Sequence, residues 1–311
     1  MGALDGLLSG PRASGAFLLR LVMDAPWALS VEDEAPLTIM AMIDGTAVIV
    51  IGEETVELRP GDVSLVKGPD HYVVADDPGT PVSIIVNPDQ QCVALDGRSL
   101  IDEMMLGVRT WGTSVDGEAK MLVGTYNLDS EVSRRLLGAI PGHVRLGADE
   151  WESPLVGLLA EEASVDQPGQ GVILDRLLDL LVMSAVRAWL DSHPDQAPGW
   201  YLAEGDEAIG ATVKLIHDEP TRRWTVAQLA SEAGMSRAAY ARRFAEIVGE
   251  PPVTYLTNWR LTLAADLLRE PSATVGLVAD QVGYATPYAL SAAFKRVRGM
   301  SPREHRRAMA G

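Results

Sequence analysis

One pattern occurs twice in the last third of this chain, and it limits the fold of that region more than any other feature. Residues 224–249 read WTVAQLASEAGMSRAAYARRFAEIVG, and residues 273–299 read ATVGLVADQVGYATPYALSAAFKRVRG. Each copy has a Ser or Thr suited to the start of a short helix, then a glycine, a second such residue and a longer helix. The spacing therefore predicts, twice, two helices joined by a short turn, which is the helix-turn-helix arrangement.

The residues at the predicted helix ends are of the types that these positions favour. The predicted N-cap residues are Thr225, Ser236, Thr274 and Thr286. Pro287 follows the last of them, and proline is favoured at the first position of a helix, where its missing N–H costs nothing. Gly234 and Gly283 are predicted to adopt the left-handed conformation that ends the short helices.

Charge is distributed unevenly along the chain. Residues 1–205 contain 12 Lys/Arg and 32 Asp/Glu, whereas residues 206–311 contain 14 Lys/Arg and 11 Asp/Glu, so the net charge of −17 conceals a basic end. The basic residues near the end are Lys295, Arg296, Arg298, Arg303, Arg306 and Arg307. An acidic body with a basic terminal segment favours a polyanionic partner for that segment, and a solvated charged face is the alternative.

Short strands are predicted in the first third of the chain. Apolar runs such as LTIMAMI and TAVIVI alternate with turn signals. Hairpin turns are predicted at residues 44–45 and 52–54, and a loop between strands at 59–62. Closely spaced short strands predict a small β-barrel or sandwich. Helices are expected from about residue 130 onward, among them residues 172–190, whose leucines recur at helical spacing.

The length of 311 residues and these patterns together favour two domains. We predict an amino-terminal domain at residues 1–190, a linker at 191–205, where Pro, Gly and Asp cluster, and an all-α domain at 206–311. The all-α domain is predicted to contain helix-turn-helix units at 225–248 and 274–298 and an intervening helix at 252–270. That intervening helix has no interior breaker and would act as a rigid spacer.

The end of the chain resembles the DNA-binding module of the AraC/XylS family of bacterial transcription regulators. The likeness rests on WTVAQLASEAGMSRAAYARRF, YLTNWRLTLAADLL and, further on, Gly283-Tyr284, Phe294-Lys295 and GMSP. The first half is similar to the cupin-type sensor domain of one branch of that family, through DAPWALSV, LRPGDVSLVKGPDH and the helix at 172–190. The resemblance implies an α+β protein with a cupin-like β-barrel, flanking helices and two helix-turn-helix units that bind double-stranded promoter DNA.

The resemblance also implies which side chains of the first longer helix meet DNA. Ala238, Ala241 and Arg242 project into the major groove, and Arg242 is predicted to contact a base because a guanidinium can bond two acceptors of guanine. Arg237 or Arg243 is expected to contact phosphate. The candidate contact residues on this helix are Ser236, Arg237, Ala238, Ala241, Arg242 and Arg243. The alternative for Arg242 is a surface ion pair with Glu246, one helical turn away.

The second longer helix departs from the family pattern. Many relatives carry Arg where this chain has Ala292, so this helix lacks a long charged side chain for reading bases. We expect phosphate contacts there, together with apolar contact to a thymine methyl group. The candidate contact residues are Thr286, Pro287, Tyr288, Ser291, Lys295 and Arg296. Most sequence specificity should therefore come from the first longer helix.

The amino-terminal domain is predicted to sense an effector rather than to act as a cupin oxygenase or isomerase. Metal-dependent cupins need several His ligands, and we place His71 alone in the strand region, so no metal or other cofactor is expected. A mouth lined by apolar residues would hold an unidentified small molecule, and the candidates are Trp27, Met40, Met42, His71 and Tyr72. Core packing for these residues, and a loop position for His71, are the alternatives.

The chain has one cysteine, Cys92, which excludes an intrachain disulfide and a zinc site built from several cysteines. Cys92 is either a redox sensor or a small buried hydrophobe, and we favour the latter because no basic neighbour in sequence lowers its pKa. A repair enzyme that transfers an alkyl group to cysteine, with the same DNA-binding module, is a further alternative. Cys92 lacks the Pro-Cys-His setting of such a nucleophile.

The helix at 172–190 is a candidate dimer element, because its Leu-rich stripe could pair with a second copy across a two-fold axis. Packing against its own domain is the alternative. We expect a homodimer with promoter DNA, a small-molecule effector and RNA polymerase as further partners. The first 25 residues lack a basic start followed by an apolar run, and the longest apolar stretch is interrupted by charges. We therefore expect a cytoplasmic protein without a membrane span.

Overall fold

A computed structural model describes residues 17–126 and 131–309. The chain divides into two compact units, and among the described residues these are a sheet unit and a helical unit. The sheet unit comprises residues 17–126 and 140–192, and the helical unit comprises 131–139 and 193–309. The start of the predicted amino-terminal domain, residues 1–16, lies outside the described residues.

The sheet unit contains thirteen strands among its described residues. They are β1 (Phe17–Met23), β2 (Ala28–Val31), β3 (Leu37–Asp44), β4 (Ala47–Ile51), β5 (Glu54–Leu58), β6 (Val63–Lys67), β7 (Tyr72–Ala75), β8 (Ile84–Val86), β9 (Cys92–Ala94), β10 (Met105–Gly107), β11 (Thr110–Gly112), β12 (Ala119–Tyr126) and β13 (His143–Leu146). One sheet has the order β10-β11-β1-β12-β3-β6-β13, and the other has the order β5-β4-β7-β2-β8-β9.

The strands form two separate sheets rather than a closed barrel, so of the two predicted arrangements, barrel or sandwich, the sheets match the sandwich. The turn at Asp44-Gly45 carries the chain from β3 in one sheet to β4 in the other, and the hairpin predicted there does not form. The hairpin predicted at residues 52–54 is confirmed, because β4 and β5 pair antiparallel from Ala47↔Leu58 to Ile51↔Glu54. Side chains from both sheets form one apolar cluster. The inner face of each sheet is therefore buried although the sheets do not join into a closed barrel.

The helices of both units are numbered in chain order. They are α1 (Ile101–Met104), α2 (Glu131–Leu137), α3 (Pro154–Ala163), α4 (Gln170–Ser192), α5 (Gly199–Leu202), α6 (Glu207–Asp218), α7 (Val226–Glu232), α8 (Arg237–Val248), α9 (Pro252–Leu267), α10 (Val275–Gln281), α11 (Pro287–Arg298) and α12 (Pro302–Met309). In the sheet unit, Leu178 and Leu181 of α4 are buried with Leu159 of α3 against the face of the first sheet that points away from the second. The leucine stripe of the predicted dimer helix therefore packs largely on its own unit.

The helical unit contains two helix pairs, α7 with α8 and α10 with α11, separated by α9. All four predicted N-caps are confirmed, since each side-chain oxygen accepts a backbone N–H of its helix; they are Thr225, Ser236, Thr274 and Thr286. Gly234 and Gly283 have positive φ, as predicted. Tyr240 and Phe244 of α8, and Leu290 and Phe294 of α11, are fully buried, which confirms the predicted inward faces of both helices.

Candidate nucleic-acid interface and amino-terminal cavity

The outward face of α8 presents a long basic side chain near the middle of the helix. Arg242 has a side chain that is 74% exposed, and its Nε lies 3.7 Å from Oε1 of Glu246. An exposed pair at that distance contributes little free energy, so the guanidinium can leave it for another acceptor. Ser236, Arg237 and Ala238 are also exposed, and Ala241 is half-buried.

Arg243 has a structural partner that the sequence did not suggest. Its Nε donates a hydrogen bond of 2.8 Å to Oδ2 of Asp206. The other oxygen of Asp206 accepts the N–H groups of Ala208 and Ile209 at 3.1 and 3.0 Å, and so caps the start of α6. The hydrogen bond from the Ile209 N–H, together with Arg243, lowers the pKa of Asp206. Arg243 therefore ties α8 to α6, whereas Arg242 points away from the unit.

Helix α11 presents a different set of groups at the corresponding places. Thr286 corresponds to Ser236, fifty residues earlier, and accepts the N–H of Ala289 at 3.1 Å. By the same offset Ala292, which is exposed, stands where α8 carries Arg242. Tyr288 is 83% exposed. The other candidates on this helix are exposed or half-buried; they are Thr286, Pro287, Ser291, Lys295 and Arg296.

Two of the basic residues near the end of the chain are bound inside the helical unit. Arg298 donates a hydrogen bond of 2.6 Å to Oε2 of Glu131 in α2. Arg306 donates through Nε to the carbonyl oxygen of Leu268 at 3.0 Å and through a second nitrogen to that of Ala273. These contacts join segments distant in sequence, so charge counting could not find them. The exposed basic residues of this segment are Lys295, Arg296, Arg303 and Arg307.

Helix α2 also contacts the helix between the two pairs. The guanidinium carbon of Arg135 lies 5.0 Å from the ring centroid of Tyr255 and 5.8 Å from that of Trp259, both in α9. Such cation–π contacts are attractive at this range. The N–H of Glu131 donates to the carboxylate of Asp266 near the end of α9. Helix α2 therefore contacts both α9 and the end of α11.

A cavity lies between the inner faces of the two sheets. Alternate residues of the long strands point into it, as the two-residue period of a strand requires. The apolar lining includes Leu19, Leu21, Leu29, Met40, Met121 and Val123. Polar groups line the cavity as well; they belong to Asp33, Thr38, Tyr72, Gln90, Trp111 and Thr125. A mainly apolar lining with a few polar groups is typical of small-molecule sites.

The residues predicted to bind an effector do not all meet at this cavity. Met40 and Tyr72 line it, whereas Trp27 and Met42 are buried in the surrounding apolar cluster. His71 is exposed and borders a different, open depression beside Pro69 and Asp70. Trp111 and Asp33 also line the cavity, and no local sequence pattern marks either of them as a lining residue.

A second histidine lies in a strand outside the region where strands were predicted. His143 lies in β13, and its Nε2 is 2.9 Å from the hydroxyl oxygen of Ser64 in β6. Within residues 17–126 and 131–309, no group of three or more His, Cys, Asp or Glu is arranged to hold a metal ion. None of the helices in those ranges is both long and apolar enough to cross a bilayer.

Cys92 also lines the cavity and is half-buried. Burial raises the pKa of its thiol to about 11, and the thiolate is the nucleophilic form. The thiol is therefore protonated at neutral pH. That environment resembles a packing position more than the electropositive setting of a reactive cysteine.

Cys92 should react slowly with a water-soluble disulfide reagent at pH 7.5. The raised pKa leaves a thiolate fraction about 100-fold below that of an ordinary cysteine, so the folded protein should react about 100-fold more slowly than the protein in urea. The rate should rise about tenfold per pH unit up to pH 10. Fast labelling of the folded protein at pH 7.5, together with loss of an oxidant response in Cys92→Ser, would contradict a packing role for Cys92.

Comparison with known proteins agrees with this two-part architecture. The family described as Cupin matches residues 3–191, and that described as Helix-turn-helix domain matches residues 229–308. A Streptomyces lividans protein named for its likeness to AraC transcription regulators is 28% identical over 313 residues, covering 99% of this chain and 98% of its own. AlkR, an HTH-type transcriptional regulator of Acinetobacter baylyi, is 30% identical over 201 residues, or 63% of this chain and 65% of its own.

Among solved structures, the DNA-binding domain of AdpA in complex with a target DNA is 33% identical to this chain. The match covers 32% of this chain and 88% of the AdpA chain, with a TM-score of 0.31. The cupin match and the helix-turn-helix match together define a DNA-binding transcription regulator. The chain belongs to the AraC/XylS family, in the branch with an amino-terminal cupin domain, and its relatives are regulators rather than enzymes.

Proposed function

We propose that this regulator reads its operator mainly through α8, holds the DNA backbone through α11, and is modulated by a small molecule in the cavity of the sheet unit. In this proposal the two helix pairs are the two helix-turn-helix units, at residues 225–248 and 274–298, and α9 spaces them along one face of the duplex. The observation that carries the proposal is the difference between Arg242 on α8 and Ala292 at the corresponding place on α11.

A base-by-base operator scan tests this division of roles. Substitutions in the half-element under α8 should cost affinity at individual positions, because direct contacts to base edges discriminate by about 1–3 kcal/mol per base. Substitutions in the half-element under α11 should be tolerated, apart from positions where a thymine methyl is lost. Equal base dependence in both half-elements would contradict the proposal.

Lys295→Ala should weaken binding to all DNA sequences by a similar factor. Lys295 is exposed beside Arg296 on the last turns of α11, and a phosphate contact positions the helix without reading sequence. The slope of log affinity against log salt concentration should fall by about one, because one fewer counterion is released. Titrations at several salt concentrations, with specific and scrambled duplexes, measure both effects. A loss confined to the specific duplex would argue for base contact instead.

The connection between β12 and α2 supports modulation of DNA binding from the cavity. Met121, Val123 and Thr125 of β12 form one wall of the cavity, and the chain reaches α2 only a few residues later. Helix α2 contacts α9 through Arg135 and the end of α11 through Glu131. A ligand that moves β12 would therefore act on the spacing of the two helix pairs.

Arg135→Ala should uncouple DNA binding from the ligand. The substitution removes the cation–π contacts with Tyr255 and Trp259 and leaves the cavity and the DNA-facing side chains unchanged. Ligand affinity should stay within about threefold, whereas the ligand-dependent change in DNA affinity, normally about 5- to 150-fold for coupled sites, should be lost. Calorimetry and DNA titration of the same preparation measure the two quantities. An unchanged ligand response would exclude this route.

A homodimer is part of the proposal. Val172, Ile173 and Leu180 of α4 and Leu158 of α3 are exposed apolar side chains, and a second copy would cover them across a two-fold axis. Sedimentation equilibrium of the full chain, compared with Leu180→Glu, tests it. Recruitment of RNA polymerase and a cytoplasmic location belong to the same proposal, as is usual for a promoter-bound regulator.

A further inference from the structure

We propose that the cavity takes an elongated, mainly apolar molecule without an anionic group, whose hydrogen-bond acceptor meets Trp111 and whose hydrogen-bond donor meets Asp33. This inference rests on the proposed function, since it names the ligand chemistry of the same site.

The acceptor end is defined by Trp111 of β11. Its side chain lines the cavity and the residue is 9% exposed. The indole Nε1 is buried, and in the described part of the chain it has no hydrogen-bond partner. A buried donor without a partner costs free energy, and most such groups in proteins are paired. A carbonyl or ether oxygen of a ligand would accept this N–H.

The opposite end is defined by Asp33, which lies between β2 and β3 and is 8% exposed. Its Oδ1 accepts the N–H of Ala35 at 3.1 Å, and its Oδ2 accepts the side-chain amide of Gln90 at 2.9 Å. The two oxygens of a carboxylate offer about four acceptor sites, so Asp33 can accept a further donor from a ligand. A hydroxyl or amine would supply it.

An anionic ligand is disfavoured at this end. The residues described as lining the cavity include no Lys, Arg or His. A ligand carboxylate would therefore be buried near the carboxylate of Asp33 without a counter-charge, and both burial and like charge disfavour the ionised form. Fatty-acid anions of suitable length should for this reason bind poorly.

Strand register sets the length of the ligand. Leu21 of β1 pairs with Trp111 on one side and with Met121 of β12 on the other. Thr125, four residues further along β12, pairs with Thr38, and both line the cavity. The Tyr72 side chain hydrogen bonds with Thr38 and also interacts with the charge of Asp33, which places this pair at the Asp33 end. Four residues of strand span about 13 Å. A chain of about ten carbons has that length, with one polar group at each end.

Three ten-carbon probes that differ at one end each test the inference on the full-length protein. They are 10-hydroxydecan-2-one, which has both groups; decan-1-ol, which lacks the acceptor; and 9-oxodecanoate, in which a carboxylate replaces the donor. By calorimetry the hydroxyketone should bind about 2- to 10-fold more tightly than the alcohol, the range of one net hydrogen bond. It should bind at least about tenfold more tightly than the carboxylate.

Two variants connect these differences to the named residues. Trp111→Phe keeps an aromatic ring but removes the N–H, so the hydroxyketone should lose its advantage over the alcohol. Asp33→Asn removes the charge, so 9-oxodecanoate should gain at least about tenfold in affinity. Their thermal midpoints, compared with the parent protein, show whether either change affects folding.

Equal binding of all three probes, tighter binding of the carboxylate, or no binding of any probe would overturn the ligand assignment. So would a ketone preference that survives Trp111→Phe. If the hydroxyketone binds as expected but leaves DNA affinity unchanged, the ligand assignment stands and the proposed modulation of DNA binding fails. The two proposals therefore have separate outcomes.

Discussion

Replacing Arg242 with alanine should abolish preference for one base pair in the operator and reduce affinity for the preferred sequence about 5- to 150-fold. The magnitude follows because a bidentate contact between arginine and guanine discriminates by about 1–3 kcal/mol. Arg242 is exposed, and its Glu246 neighbour is too distant at 3.7 Å to hold it. Titration of the parent and variant against four duplexes, one for each base pair at the contacted position, measures the effect.

Two neighbouring substitutions serve as controls for this prediction. Arg242→Lys keeps the charge but loses the planar fork, so the base preference should still fall while the salt dependence stays. Arg243→Ala removes the contact with Asp206, so it should lower stability and leave the base preference intact. If Arg242→Ala instead weakened all four duplexes equally, Arg242 would be a phosphate contact. If it changed nothing, the pair with Glu246 would be its whole role.

Features governed by local chemistry could be predicted from the sequence of the helical unit. Thr286 followed by Pro287 starts α11 because an N-cap oxygen and a fixed φ favour a helix whatever surrounds them. The buried faces of α8 and α11 also follow from helical periodicity, as Tyr240 and Phe294 show. These are properties of a few adjacent residues.

Features that depend on distant residues could not be predicted in this way. Arg298 looks like part of a basic patch, but its partner Glu131 is 167 positions earlier. Trp111 lies in a three-residue strand, and only the pairing of β11 with β1 brings it to the cavity. The separation into two sheets likewise depends on which strands pair, and the alternation of apolar residues is the same in a barrel and in a sandwich.

Gly283→Ala should destabilise the helical unit by about 2–5 kcal/mol and remove most DNA binding. Gly283 has φ +79°, and a Cβ there would lie 2.7 Å from both Cα and the carbonyl oxygen of Thr221. The left-handed conformation costs an L-residue about 1–2 kcal/mol, and forcing an extra carbon into a packed site costs about 1–3 kcal/mol more. Urea unfolding followed by circular dichroism measures the loss.

The contact at Gly283 also explains why DNA binding should fall with stability. Arg260 of α9 donates to the carbonyl oxygens of Pro220 and Arg222 at 2.6 and 2.8 Å, so the loop before α7 is fixed to the spacer helix. The turn of the second helix pair rests on Thr221 of that same loop. A side chain at Gly283 would push this turn away from the loop at Thr221. The spacing of α8 and α11, which must match successive major-groove segments, would then change.

Gly234→Ala is the matched control, because it places the same change in the turn of the first helix pair. Gly234 has φ +63°, but a Cβ there would meet no atom within 4 Å. It should therefore cost only the conformational part, about 1–2 kcal/mol, and leave DNA affinity within about threefold at temperatures where the protein is folded. Equal losses from the two substitutions would mean that backbone strain alone matters, and that contact with Thr221 does not set the spacing of the helix pairs.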